Sequence, residues 1–280
     1  MADQWTKHLA DKGYTGIALP SPEFRLFTLV FERNGARGHQ NAFDQLAPGV
    51  AASMAQPERN ANLPAIAGER TRSVDVQVGL KILSGLIAAL GGGTLGIKAG
   101  FDRARKLTFA YDGISSETLN AVLLQQALNG VAPPAGGLLR DWLDDHLYVV
   151  TSVLRATKIS VSAEATEGET VAVDVPVISG AVGANVSVAA KAGDKSTVTF
   201  QGGVAVPFAV GLFQVRETKI GGQRRLTLRT VKAGTVGVKT LPASATGHDA
   251  DADQGELAPT VLDWNPEREA VGGEAAREPA

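Results

Sequence analysis

The sequence predicts an α+β protein built on a mostly antiparallel β-sheet and accompanied by helices. Three observations carry that expectation. Two long stretches, about residues 74–112 and 159–206, place apolar residues at every second position, the pattern of strands with one buried face. Two shorter stretches, Ser116–Leu128 and Leu138–Leu147, read as helices. Turn signals at Asn34-Gly35, Gly193-Asp194 and Gly221-Gly222 separate the strand-like runs.

Taken in order, Asp3–Lys12 reads as a short amphipathic helix with Asp3 as N-cap and Gly13 as stop signal. Tyr14–Leu19 and Phe24–Phe31 read as strands, closed by Pro20 and Pro22 and by Asn34-Gly35. Residues 47–72 hold Pro48, Pro57 and Pro64 and read as loop and short helix. Val74, Val76, Val78, Leu80 and Ile82 then alternate with Asp75, Gln77, Gly79 and Lys81, as in a half-buried strand. Yet Val76, Leu80, Leu83, Ile87 and Leu90 also fall on one stripe of a helix, so the same letters support both conformations.

Gly91-Gly92-Gly93 and Gly96 break that run. A returning segment places Ile97, Ala99 and Phe101, then Leu107, Phe109 and Tyr111, on one face, interrupted by Arg103 and Arg105. Residues 74–112 therefore read as two segments joined by a glycine turn, each longer than the ~9–11 residues of a tilted membrane strand. Leu119, Leu123 and Ala127 give the helical stripe of Ser116–Leu128, and Tyr148–Leu154 reads as a buried strand. The second alternating region holds Ile159, Val161, Ala163 and Ala165, then Val171, Val173, Val175 and Val177. Val182, Ala184, Val186, Val188 and Ala190 continue it, followed by Val198, Phe200, Val204, Val206 and Phe208. A hairpin at Gly221-Gly222 and a strand to about Lys239 complete the body. Residues 241–256 read as a mobile linker, and Leu257, Val261, Leu262 and Trp264 form one short apolar cluster before a charged end.

Charge is distributed unevenly. Residues 1–240 carry 25 Lys and Arg against 20 Asp and Glu, whereas residues 241–280 carry 2 against 9. A basic body with an acidic tail fits a surface meant for an anionic partner and screened until needed; a merely solubilising tail is the other reading. The chain has no cysteine, which excludes disulfides, thiol nucleophiles and cysteine metal sites. The first twenty residues include Asp3, Lys7, His8 and Asp11, so no signal-peptide core is present and a cytoplasmic start is expected. The longest charge-free apolar stretch, Ile82–Ile97, is shorter than the ~20 residues of a spanning helix.

A search for chemistry finds little. Gly91, Gly93 and Gly96 match G-x-G-x-x-G, but no βα alternation surrounds them, as a dinucleotide site requires. Asp249, Asp251 and Asp253 imitate the start of a calcium loop, with Gly255 one place late and Thr260 where the bidentate Glu belongs. Asp141, Asp144, Asp145 and His146 read as a charged helix face rather than a metal site. Basic residues are dispersed and aromatics sparse, which does not support nucleic-acid binding. No enzyme and no cofactor is expected.

Several stretches resemble bacterial gasdermins. Asp11-Lys12-Gly13-Tyr14 followed by Ala18-Leu19-Pro20 is similar to the family's start. Leu147–Ile159 (LYVVTSVLRATKI) is similar to the strand leading into the second inserting region, and Phe200–Arg216 (FQGGVAVPFAVGLFQVR) to the late strand with its Pro-Phe-Ala core. The order of segments agrees over about residues 3–240.

The resemblance implies a gasdermin N-domain-like fold: a twisted, mostly antiparallel sheet with surrounding helices, held inactive by a short C-terminal inhibitory peptide. It implies a pore-forming domain at 1–240, a protease-sensitive linker at 241–256, and an autoinhibitory peptide with a disordered end at 257–280. A caspase-like or trypsin-like protease would cut the linker, with Leu241, Asp249, Asp251 and Asp253 as candidate sites. Leu257, Val261, Leu262 and Trp264 would dock on the body until then. The freed body would pass from a cytoplasmic monomer to a homo-oligomeric β-barrel pore in the inner membrane, killing the cell in antiphage defence.

On this expectation Val74, Val76, Val78, Leu80, Ile82, Phe101, Leu107, Phe109, Val186, Val188, Val198 and Phe200 enter the membrane, while Arg103, Arg105 and Lys106 meet anionic lipids. Many family members carry a lipidated N-terminal cysteine; this chain has none, so that anchor is not carried over. A soluble, non-enzymatic β-rich binding module is the alternative.

Overall fold

A computed structural model describes residues 9, 12–17, 24–33, 36–61, 63, 74–165, 169–231 and 261–262. Its framework is a pair of long antiparallel strands, β8 (His146–Glu164) and β10 (Asp194–Ile220). Each carries three short strands in succession along its outer edge. Along β8 lie β2 (Leu29–Arg33), β7 (Ser115–Thr118) and β6 (Lys106–Asp112). Along β10 lie β11 (Gln223–Thr230), β1 (Thr15–Ile17) and β9 (Val186–Lys191). β3 (Ala36–Gln40) pairs with β2, β4 (Glu58–Ala61) with β7, and β5 (Val74–Asp75) with β6. β12 (Val261–Leu262) adds to the outside of β1, the one parallel pairing among the described residues.

A strand of 27 residues would run roughly 90 Å if straight. β10 bends instead: its register with β8 shifts at Gln201/Val206, Pro207/Ala209 and Gly211/Leu212, bulges that increase local twist. β8 is buried on both faces from Leu147 to Leu154, because helices cover one side and the segments around Phe24 the other. That explains why this run does not alternate and why its two polar residues, Thr151 and Ser152, are buried with the rest.

Six helices and a 3₁₀ turn complete the described fold. α1 (Phe43–Leu46), α2 (Val50–Ser53), α4 (Ala121–Leu128) and α5 (Leu138–Asp144) cover one core through Phe43, Leu46, Leu124, Leu128 and Trp142. Phe31 stacks on Trp142 with ring centroids 4.0 Å apart. α5 is tied to the β10–β11 hairpin by Arg140, which donates to Glu217, while Arg224 donates to the same carboxylate from across the turn at 2.7 Å. α3 (Val76–Ala89) and α6 (Val175–Val182) pack on the other core.

Several expected elements take another form. Of the two conformations its letters support, Val76–Ala89 takes the helix, while Ile97–Phe101 is a 3₁₀ turn and Val175–Val182 a helix in place of the expected strands. In each, tertiary burial decides: Leu83, Leu86, Ile87, Ile97, Ile178 and Val182 all reach the core in the observed form. Ser115–Thr118 is a strand, and the helix after it starts at Ala121, capped by the Asn120 side chain, which accepts from the amides of Val122 and Leu123. Leu124 and Leu128 are its buried positions, while Leu123 is exposed. Of the expected N-terminal helix only Leu9 and Lys12 lie within the described residues.

Candidate functional site

Eleven of the twelve residues expected to enter a membrane belong to a single hydrophobic core. Phe101, Leu107, Phe109, Val186, Val198 and Phe200 are buried in it; Val74, Val76, Leu80, Ile82 and Val188 pack against it half-buried. Val78 lies on α3 with the rest. The two regions are therefore brought together, which the sequence alone does not show.

Their contact is intimate. The Gly93 amide donates to the Val182 carbonyl at 3.0 Å, and the Asp174 amide donates to the Gly100 carbonyl at 3.1 Å. The Asn185 side chain donates to the Gly91 carbonyl at 3.2 Å. Glycine permits the approach: a Cβ on Gly100 would lie 2.2 Å from Ile178 Cγ1, and one on Gly93 would lie 2.8 Å from the Ala181 carbonyl oxygen. These glycines, together with the small-residue stretch Ser179-Gly180-Ala181, signal a close approach on each side without naming its partner.

α3 is an unfavourable sequence for a helix. It contains Gly79 and Gly85 and the β-branched Val76, Val78, Ile82 and Ile87, and each glycine costs about 1 kcal/mol against alanine. Local caps and burial oppose that cost. The Asp75 carboxylate accepts from the Gln77 amide at 2.8 Å. At the far end Gly91, with φ 85°, closes a Schellman motif in which the amides of Gly92 and Gly91 donate to the carbonyls of Ile87 and Ala88. Leu83, Leu86, Ile87 and Leu90 are buried, each stabilising by about 1.5–3 kcal/mol. α6 repeats the situation: Asp174 caps the Val177 amide at 3.1 Å, and Val175, Val177, Val182 and Gly180 are poor helix formers. Both helices are held by packing rather than by propensity.

Arg103 and Arg105 are exposed between the 3₁₀ turn and β6, and Lys106 is exposed at the first position of β6. The Arg105 backbone is fixed, its amide donating to the Glu164 carbonyl at 2.8 Å and its carbonyl accepting from the Val76 amide at 2.9 Å. At the edge of the sheet, Val261 stands opposite Gly16 and Leu262 opposite Ile17. This is an added strand, a mode in which backbone hydrogen bonds carry the affinity. Leu257 and Trp264, and the candidate cleavage positions Leu241, Asp249, Asp251 and Asp253, lie outside the described residues.

Glu117 joins Arg59 at 2.8 Å and Arg155 at 3.4 Å, and the hydrogen bond from Arg59, then Arg155, holds its carboxyl below the ordinary value against the opposing effect of burial. Among the described residues no helix is long and apolar enough to cross a membrane, and no group of three or more His, Asp or Glu is placed to hold a metal.

Residues 17–220 match the Bacterial Gasdermin Family. The chain is 36% identical over 234 residues to a gasdermin of Lysobacter enzymogenes, covering 81% of this chain and 84% of that protein. It is 25% identical over 242 residues to a gasdermin of a Desulfuromonadales bacterium, covering 85% and 90%. In fold it resembles the structure of a bacterial gasdermin from Bradyrhizobium tropiciagri, with a TM-score of 0.55 at 16% identity, over 82% of this chain and 92% of that one.

Proposed function

This chain belongs to the bacterial gasdermins, pore-forming cell-death effectors, and from that premise we propose that it is a latched pore former released by proteolysis. The observation that carries the reading is the shared core: two strand-patterned regions are stored together as weakly coded helices, packed on one another. Release exchanges that core for lipid. The apolar side chains stay out of water throughout, so the hydrophobic cost of unpacking them is offset on insertion.

The C-terminal segment acts as the latch. A two-residue added strand contributes only a few kcal/mol by itself. While joined to the body through residues 232–260, it competes at an effective concentration of order mM; once severed, it must bind as a free peptide. A caspase-like or trypsin-like protease cutting within 241–256, at Leu241, Asp249, Asp251 or Asp253, would release it. The inhibited monomer is cytoplasmic. The freed body assembles on the inner membrane into a large β-barrel pore, without catalysis or cofactor, and the resulting cell death serves antiphage defence. Arg103, Arg105 and Lys106 meet anionic headgroups.

The test uses the full chain with a specific protease site placed between Thr246 and Glu256, mixed with anionic liposomes holding a quenched dye. Leakage is expected only after the cut, and should weaken as salt rises. A verified cut that leaves the liposomes tight would overturn the reading and favour a soluble binding module.

A further inference from the structure

We propose that the soluble fold already holds the strand register of both membrane hairpins, and so fixes their tips and their lipid-facing residues; this rests on the pore-forming reading above. In the first region, Val74 stands opposite Leu107 and Asp75 opposite Lys106. Antiparallel partners there have residue numbers that add to 181. Extended upward, the same register sets Leu80 opposite Phe101, Ile82 opposite Ala99 and Leu86 opposite Leu95. The chain then reverses at Leu90-Gly91, and Gly91 already has the positive φ that tight hairpin turns favour.

Parity supports this alignment. Directly opposed residues share a face, so the even positions of the first arm join the odd positions of the second. That face holds Leu80, Ile82, Leu86 and Leu90 with Leu95, Ile97, Ala99 and Phe101, carries no charge, and has Ser84 as its polar position. Lys81, Thr94 and Lys98 fall on the other face, together with Leu83 and Ile87. A slip of one residue would move Lys98 onto the face of Ile82 and leave a lysine on each face. Arg105 and Arg103 stand opposite Val76 and Val78 at the root, at headgroup level. From there to the tip each arm has eleven residues, Leu80–Leu90 and Gly91–Phe101, against the ~9–11 a membrane strand needs.

The second region obeys the same rule independently. Rungs run from Lys158 opposite Gln201 to Ser162 opposite Thr197, numbers that add to 359, with hydroxyl pairs Ser160–Thr199 at 2.8 Å and Ser162–Thr197 at 2.7 Å. Extension sets Val171 opposite Val188, Val173 opposite Val186, Val175 opposite Ala184 and Val177 opposite Val182, with the reversal at Ser179-Gly180. Thr170, Ala172 and Asp174 meet Ala189, Ser187 and Asn185 on the other face. To adopt this pairing α6 must unwind and β9 must leave its present rungs on β10, such as Ala190 with Val198.

One further observation fits the hairpin. Leu95 is 90% exposed in the soluble fold, where its side chain has no core to fill. In the inferred hairpin it sits mid-arm, facing lipid beside Leu86.

The experiment compares neighbours that are both exposed now. After cutting, Leu95→Lys should lower dye release at least tenfold while Thr94→Lys stays within twofold of the parent, since a lysine at the bilayer midplane is costly only on the lipid face. In the second region the cysteine-free background allows a clean disulfide test. Ala172→Cys with Ser187→Cys should cross-link on liposomes after cutting, and Ala172→Cys with Ala189→Cys should not. If the two lysine variants exchange behaviour, or the second cysteine pair links instead, the register is wrong although the pore stands. If the cut parent itself releases no dye, the pore reading falls and takes the register with it.

Discussion

The Gly93 amide donates to the Val182 carbonyl at 3.0 Å, joining the glycine turn after α3 to the last residue of α6. The two regions proposed to insert thus restrain each other, and on that reading neither can extend without exposing its partner's surface. Coupling of this kind makes release cooperative, and it directs attention to the glycines at the contact.

Gly100→Ala should destabilise the latched state. Its new methyl would lie 2.2 Å from Ile178, which is fully buried and cannot yield cheaply. Overpacking typically costs about 1–3 kcal/mol. Thermal denaturation should show a lowered midpoint and liposome assays should show leakage from uncut protein; Gly136→Ala, with nothing within 4 Å, serves as control.

Gly180→Ala should act in the opposite direction. The position is exposed, helical and free of neighbours within 4 Å. Alanine should stabilise α6 by roughly 0.5–1 kcal/mol. The measured consequences are a higher melting temperature and slower dye release after cutting.

Disrupting the added strand should mimic the cut. Val261→Pro with Leu262→Pro removes the amides available for pairing with β1. The uncut double variant is expected to leak; tight liposomes would mean that the latch lies elsewhere in the tail.

Removing the root charges should weaken membrane capture. Basic groups near an anionic surface contribute about 1 kcal/mol each. Arg103→Ala, Arg105→Ala and Lys106→Ala together should therefore reduce vesicle binding of the cut protein about a hundredfold at low salt. Sedimentation with vesicles measures this, and the variant should show a flatter salt dependence than the parent.

Glu217 gives the fold an acid limit. Hydrogen bonds from Arg224 and then Arg140 lower its carboxyl from 4.5 to about 2. A carboxyl depressed on folding adds stability that is present above its unfolded value and disappears as pH falls through the folded one. Resistance to urea should therefore fall as pH drops from about 4.5 to about 2, and Glu217→Gln should flatten that slope.

The sequence was most readable where one environment acts on a segment. The run Tyr148–Leu154, apolar apart from Thr151 and Ser152, reads as a buried strand because β8 is covered on both faces. It was ambiguous at Val76–Leu90, where alternation and a helical stripe coexist, since that segment is suited to two environments. Val175–Val182 shows the same conflict, although Asp174 as a cap and Pro176 in the first turn were helix signals that the valine alternation masked. The pairing of Val261–Leu262 with β1 was not legible, because a short apolar cluster does not specify its partner. The contacts at Gly93 and Gly100 depend on chain segments about 80 residues apart, beyond the reach of local pattern.

The rungs between β5 and β6 have a kinetic meaning. Forming a hairpin from a disordered chain of this length would first require bringing Val74 and Leu107 together across 32 intervening residues. Loop closure on that scale costs about 3 kcal/mol in chain entropy. Here the ends are already joined, so extension proceeds as a zipper that adds one pair at a time. On the proposed reading the slow event is then unlatching or the meeting of protomers, while the strands themselves can form on the microsecond timescale of β-hairpins.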